Sequence, residues 1–331
     1  MEQVFYIVRH KDENVCRKSS SGGAFTAITD AWFTKYGDKA VVYGCAFDEN
    51  LSAVHIRATD KECRNRMRGS KYISSELSGV FKLVEEDLKK EFNVLFSGTP
   101  CQIAGLKSFL RVKKLEETKN LLTIDVVCHG VGSKRFFEDY ISYFEKKNKS
   151  RAISCNFRAK SRPGKLQDME IVFENGKKYK ASSTKYDWFY SVYNVKSLIL
   201  RPSCYSCKFA KLTRESDITV SDSWGSFREG DNKEKSMIIA NTQTGFAWVQ
   251  EALLHMDCVS VDGQRDLQER LHTPASKPSD YDTFWEIYKT KGYLSSQRYV
   301  GNNTLKGKLR TLIVVVINKM HLTEVLKKIK F

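Results

Sequence analysis

NVLFSGTPCQIAGLKSFL (93–110) reads as a strand that turns into a helix. NVLF is a short apolar run, and after it Ile103, Leu106, Phe109 and Leu110 recur at helical spacing. Thr99 and Pro100 suit a helix start, which puts Cys101 in the first helical turn. Outward from that junction the same alternation repeats. Strands are expected at 4–8, 39–47, 52–58, 93–96 and 121–128, with helices at 23–37, 74–91, 102–110 and 134–147 between them. The alternation predicts an α/β fold with a mixed, largely parallel sheet flanked by helices.

Near residue 148 the texture changes to strand, polar loop and a hairpin turned by Asn175-Gly176. Strands are expected again at 217–222 and 235–241, followed by the helix GFAWVQEALLHM (245–256). The expected division is an N-terminal α/β portion over 1–148, an α+β portion over 149–303 that carries a C-x-x-C pair, and a tail over 304–331. That tail holds seven basic residues and one acid with apolar residues between them. It fits either a basic amphipathic helix on an anionic membrane surface or a C-terminal helix packed on the core.

At 331 residues, 41% hydrophobic and 12% aromatic, the chain can build a substantial core. The N-terminus lacks a signal peptide, and the longest apolar run, Leu312 to Ile317, falls far short of the roughly 20 residues that span a bilayer. Nine cysteines without an export signal argue against a disulfide framework, so reduced thiols and a cytoplasmic location are expected, with peripheral contact at the inner membrane face through 304–331 if the tail is a surface helix. The net charge of +16 suits an anionic partner such as a phosphate-bearing cofactor. No nucleic-acid motif and no dense interleaving of aromatic and basic residues is present, so a nucleic-acid partner is not expected.

The sharpest local chemistry is the pair Cys204 and Cys207 in RPSCYSCKFAK. Two intervening residues let both thiolates reach one centre from a tight turn, as half of a zinc site, a redox dithiol or part of an iron–sulfur site. Cys101 and Cys128 are the best candidates to complete a four-thiolate set, because each ends an apolar strand, VLFSGTPC and IDVVCHG. In open α/β sheets sites assemble at that edge, and a helix N-terminus favours a thiolate. Cys45, Cys155 and Cys258 lie in strand-like runs, Cys45 reading as a small core residue, and Cys16 and Cys63 read as surface thiols. SSSGG (19–23) directly precedes a helix and suits a phosphate or pyrophosphate, and RGSKY (68–72) offers Arg68, Ser70 and Lys71 to an anion.

SSSGGAF (19–25), RGSKYISS (68–75), LFSGTPCQIAGL (95–106), DVVCHGVGS (125–133) and SCYSCKFAKLTRESDITVSDSWG (203–225) occur in that order. Together they resemble the coenzyme F420 hydrogenase/dehydrogenase beta-subunit family over roughly residues 15–230. Relatives are iron–sulfur flavoproteins that carry FAD and pass electrons between a cluster and a second redox partner, which is coenzyme F420 in hydrogenase complexes and a chlorophyll derivative in plant relatives. The resemblance implies that Cys101, Cys128, Cys204 and Cys207 hold a 4Fe–4S cluster. It also implies an FAD site formed by Ser20, Ser21, Gly22, Gly23, Arg68, Ser70, Lys71, Tyr72 and Thr99, with Asp222 and Trp224 lining it. His129, beside Cys128, becomes a candidate proton donor near the flavin, or else a residue held by an orienting hydrogen bond.

Many relatives begin with a ferredoxin-like segment of clustered cysteines, whereas here Cys16 stands alone before Ser19. The resemblance therefore implies a separate electron-donor protein or a soluble donor, and a small-molecule hydride acceptor. Forms of this size resemble proteins found near bacterial surface-polysaccharide genes. The expected function is an FAD- and iron–sulfur-dependent oxidoreductase. Its rivals are a zinc-binding structural protein that uses the same four cysteines, and a scaffold that keeps the fold without the redox chemistry.

Overall fold

The computed structural model describes residues 2–115, 118–160, 168–182, 187–223, 234–260 and 268–301. The tail at 304–331 and Trp224 lie outside the described residues. The chain runs through β1 (Val4–His10), α1 (Glu13–Lys18), α2 (Ala24–Tyr36), β2 (Ala40–Phe47), β3 (Ala53–Ala58), α3 (Lys61–Asn65), α4 (Val80–Lys89), β4 (Asn93–Gly98), α5 (Pro100–Val112), β5 (Leu121–Val126) and α6 (Lys134–Asn148). It continues through β6 (Ala152–Ala159), β7 (Asp168–Phe173), β8 (Lys178–Ser182), α7 (Trp188–Tyr190), β9 (Ile218–Asp222), β10 (Ser236–Ala240), α8 (Gln243–Leu253), β11 (Met256–Ser260), α9 (Tyr281–Lys291) and α10 (Tyr293–Tyr299).

Eight strands form one sheet in the order β11-β1-β10-β9-β5-β4-β2-β3. Its centre, β2-β4-β5-β9, is parallel, and both flanks are antiparallel. Strands from either side of residue 148 thus pair in a single sheet, with β5 beside β9. Successive side chains of a strand point to opposite faces, and this sheet buries both. Val42 and Leu95 join Ile28 and Trp32 of α2 and Trp248 of α8 in one apolar layer. Their neighbours Val41, Val94 and Phe96 pack with Val84 of α4 and Ile103 and Leu106 of α5 in the opposite layer.

A second, three-stranded sheet, β6-β7-β8, packs with α6, α7 and α9 around a core rich in aromatics, including Phe136, Phe137, Phe157, Phe189 and Phe284. Its hairpin turns at Asn175-Gly176 as expected. The helix expected from residue 74 begins only at Val80. Glu76 N–H donates to Ala53 O and accepts from His55 N–H through its carbonyl, so this segment is held along β3 and its backbone groups are unavailable to a helix.

Asp187 fastens the small sheet to the helices. It caps α7 by accepting from Tyr190 N–H at 2.8 Å, and it also accepts from Tyr140 Oη at 2.6 Å and Tyr179 Oη at 3.2 Å. Burial outweighs these bonds and pushes its carboxyl up to about 6. The folded state therefore holds a proton that the unfolded chain has released between the ordinary value of 3.8 and about 6. Stability from this group is full below that window and is lost as pH rises through it. Asp187→Asn is expected to lower stability at pH 4 relative to pH 7 by on the order of 2 kcal/mol. Urea unfolding at both pH values checks it; an unchanged difference contradicts the assignment.

Candidate functional site

The β4–α5 junction is built by its sequence. Gln102 Oε1 accepts from Thr99 N–H at 2.9 Å, while Gln102 Nε2 donates to Ser75 Oγ at 2.7 Å. Pro100 occupies the first turn of α5, where no N–H is required. Cys101 follows with its thiol exposed, 3.2 Å from Thr99 Oγ1.

After β5, Val127 N–H still bonds Val220 O, and the chain then leaves the sheet at Cys128. Gly130 N–H donates to Cys128 Sγ at 3.4 Å. Gly130 has φ +104, and a Cβ there would stand 3.0 Å from Leu200 and 3.3 Å from Cys204 Cβ. Only glycine lets the Cys128 loop lie this close to the Cys204 turn. The two segments are laced together by Ser133 N–H to Ile199 O at 2.8 Å and Arg201 N–H to Val131 O at 2.9 Å, and Cys204 and Cys207 sit in and just after the 3-10 turn Pro202–Ser206.

All four candidate thiols therefore collect at the C-terminal edge of β4 and β5. Burial foremost, then the charges of Cys101, Cys204 and Cys207, push Cys128 up to about 12, against the Gly130 N–H. Burial also raises Cys204. Among the described residues, no three His, Cys, Asp or Glu side chains converge tightly enough for a single metal ion. In a four-iron cluster each thiolate takes a different iron, so its ligands stand farther apart than those of one zinc ion.

Against this edge lies a cavity of about 500 Å³. Ser20, Ser21, Gly23, Arg68, Ser70, Lys71, Tyr72, Thr99, Asp222, Cys128 and His129 line it, whereas Gly22, Cys101, Cys204 and Cys207 do not. Gly22 works behind the wall. A Cβ there would meet Ser236 N at 2.6 Å and Val8 O at 2.7 Å, so the SSSGG turn can reach the sheet only with glycine. Its N–H donates to Ser236 Oγ, which also bonds Ser21 Oγ at 2.9 Å. The first turn of α2 opens on the cavity with no acidic residue in it, and Arg68 Nε donates to Thr26 Oγ1 there at 3.1 Å. Burial and the charge of Arg64 lower the Arg68 pKa.

Lys71 lines the cavity, but its ammonium faces the backbone. It donates to the carbonyls of Cys45, Arg66, Met67, Arg68 and Gly69 at 2.9–3.3 Å, which fixes the shape of the RGSK loop. His129 Nε2 lies 3.1 Å from Gln268 Oε1, and Gln268 Nε2 donates to Asp222 O at 2.8 Å. That second bond leaves Oε1 as the acceptor, so His129 donates from Nε2. Burial lowers the His129 pKa, which favours neutral imidazole.

Sequence reading missed Arg158, Tyr190, Tyr193 and Gln268, which also line the cavity. Arg158 is buried and donates from Nη1 to both Asp222 oxygens at 2.9 and 2.7 Å. Tyr193 stacks on Tyr72 with centroids 4.9 Å apart and donates to Gly130 O at 2.9 Å. The aromatic run WFYSVY (188–193) was the available signal. Two expectations for other cysteines change. Cys16, read as a surface thiol, is buried because α1 folds back over β1, and its thiol donates to His10 O at 3.3 Å. Cys45, read as core, is half-buried because its side of β2 faces the cavity.

Residues 92–262 match the family described as the C terminus of the coenzyme F420 hydrogenase/dehydrogenase beta subunit. The chain belongs to that family. The matched segment contains Cys101, Cys128, Cys204 and Cys207, and SSSGG and RGSKY precede it. The family is one of hydrogenase and dehydrogenase subunits, which makes the chain an F420 hydrogenase beta-subunit-like oxidoreductase. Its fold is also that of a chain in the xenon-derivatised F420-reducing [NiFe] hydrogenase complex from Methanosarcina barkeri, with a TM-score of 0.53, 16% identity and 91% of each chain covered. At that identity the likeness concerns the fold. No curated protein matches the chain. No helix among the described residues of this beta-subunit relative is long and apolar enough to cross a membrane.

Proposed function

We propose that the chain is an iron–sulfur flavoprotein oxidoreductase, with Cys101, Cys128, Cys204 and Cys207 holding a 4Fe–4S cluster and the adjoining cavity holding FAD. One observation carries the reading: Cys128 lies both on the cavity wall and within electrostatic reach of the other three thiols. A single residue thus joins a thiolate-rich centre to a chamber of about 500 Å³, the size of a cofactor site.

When bound, such a cluster supplies one-electron transfer and FAD supplies two-electron hydride chemistry. The residues of the chain would do the rest. The open first turn of α2, Ser20, Ser21 and Arg68 would hold the flavin's diphosphate, since backbone N–H groups at a helix start and a guanidinium both favour phosphate. Tyr72 and Tyr193 give a stacked aromatic wall beside the Cys128 loop, and Thr99 closes that end. His129 would keep a proton at Nε2, held in place by Gln268. Electrons would arrive from a separate protein or soluble donor and leave to a small-molecule acceptor.

Arg68→Gln is expected to weaken FAD binding at least about tenfold, the loss of one charge-assisted contact to phosphate. Riboflavin, which has no phosphate, is expected to bind the variant and the wild type alike. Fluorescence titration of flavin-stripped protein measures both. Equal FAD affinity in a folded Arg68→Gln variant contradicts the phosphate assignment.

A further inference from the structure

We propose that a second, basic chamber beside the flavin cavity is a binding site for a phosphate-bearing arm of a ligand. The chamber, about 270 Å³, is walled by the last turn of α1, the loop 66–71 and the edge strand β6. Six of its lining residues are basic, Arg17, Lys18, Arg66, Arg68, Lys71 and Arg158, and none is Asp or Glu. Arg158 is paired to Asp222 across the neighbouring cavity. The other five form no ion pair among the described residues.

Cations spread over a convex surface are separately solvated and require no ligand. Lys71 is taken up by backbone carbonyls and Arg68 by Thr26, so the cations left to a ligand here are Arg17, Lys18 and Arg66, which α1 and the loop 66–71 bring to one concavity where a bound polyanion relieves their mutual repulsion. Ser154 and Asn156, both exposed on β6, add a hydroxyl and an amide to the same wall. The two chambers share Ser19, Ser20, the loop 68–71 and Arg158. The Ser20–Ser70 hydrogen bond of 2.9 Å lies in that common wall. A ligand seated against Cys128 can therefore extend an arm into the basic chamber. The volume suits one or two phosphate groups rather than a whole nucleotide. The arm belongs to a second substrate, since the first turn of α2 takes the flavin's diphosphate. The anion site rests on the chamber itself, and only its assignment to a second substrate rests on the flavin reading.

The test is calorimetric titration of the full chain with inorganic pyrophosphate at about 50 mM salt, where charge attraction is weakly screened. The wild type is expected to bind, and an Arg17→Gln, Lys18→Gln, Arg66→Gln triple variant to bind at least about tenfold more weakly with an unchanged melting temperature. Ser154→Glu, which places an acid on the opposite wall, is expected to weaken binding similarly. Flavin-loaded and flavin-stripped protein are run side by side. Binding by both supports the chamber as a second substrate's, whereas binding by stripped protein alone places the pyrophosphate in the flavin's own diphosphate site and counts against it. Failure of either wild-type form to bind, or equal affinity in the folded variants, overturns the proposal. If the chain proves to hold no flavin, the same titration still decides the anion site while the flavin reading fails separately.

Discussion

Cys128→Ser is expected to lower the iron content of anaerobically reconstituted protein from about four atoms per chain to less than about one. The thiol is held by the Gly130 loop against the Cys204 turn, so no other thiol of that loop can replace it. A serine hydroxyl in the same place remains protonated and is a poor iron ligand. The control is Cys258→Ser on β11, whose thiol is exposed and lies at the far edge of the large sheet; it is expected to keep its iron. Cys101→Ser, Cys204→Ser and Cys207→Ser should each behave as Cys128→Ser does. A Cys128→Ser protein with wild-type iron content contradicts the ligand set.

The second large effect concerns stability. Arg158 is only 6% exposed at its side chain, and Asp222 is 17% exposed. Asp222→Ala removes the carboxylate and leaves the guanidinium buried without it, which is expected to cost about 3 kcal/mol. For a chain of this size that lowers the melting temperature by on the order of 6 °C. The double variant Arg158→Met, Asp222→Leu is expected to recover most of the loss, because a buried pair replaced by apolar groups of similar volume is often neutral. The Gln268 bond to the Asp222 carbonyl uses the backbone and survives both changes. Thermal denaturation compares the three proteins. Asp222→Ala melting within about 1 °C of wild type would show that the pair does not hold the cavity wall together.

What the sequence made legible was the part governed by local rules. The uninterrupted apolar runs of β2 and β4 were readable as buried strands, and their residues pack into opposite layers on the two faces of the central sheet. The Thr99-Pro100 start of α5 was readable because its chemistry is local. Cys101 and Cys128 were readable because parallel neighbouring strands bring their C-terminal ends to one edge. The contacts that join β6 to β9 were not. Nothing near Arg158 in NFRAK points to Asp222, and the pairing exists only once the small sheet packs against the large one. Lys71 shows the same limit. Its charge suggested an anion contact, yet the loop folds so that its ammonium meets five carbonyls. Residues 281–299 were passed over although Tyr281, Phe284, Trp285 and Tyr288 stand at helical spacing, and α9 and α10 are placed by aromatic contacts such as Phe136 with Phe284, Tyr288 and Tyr293.

The central claim is that one chain holds a four-thiolate iron–sulfur cluster beside a flavin. The most direct measurement is the absorption spectrum of anaerobically purified protein together with its iron, zinc and flavin content per chain. The account predicts a brown protein with about four irons, about one FAD and no stoichiometric zinc. A colourless protein with one zinc and no flavin would contradict it.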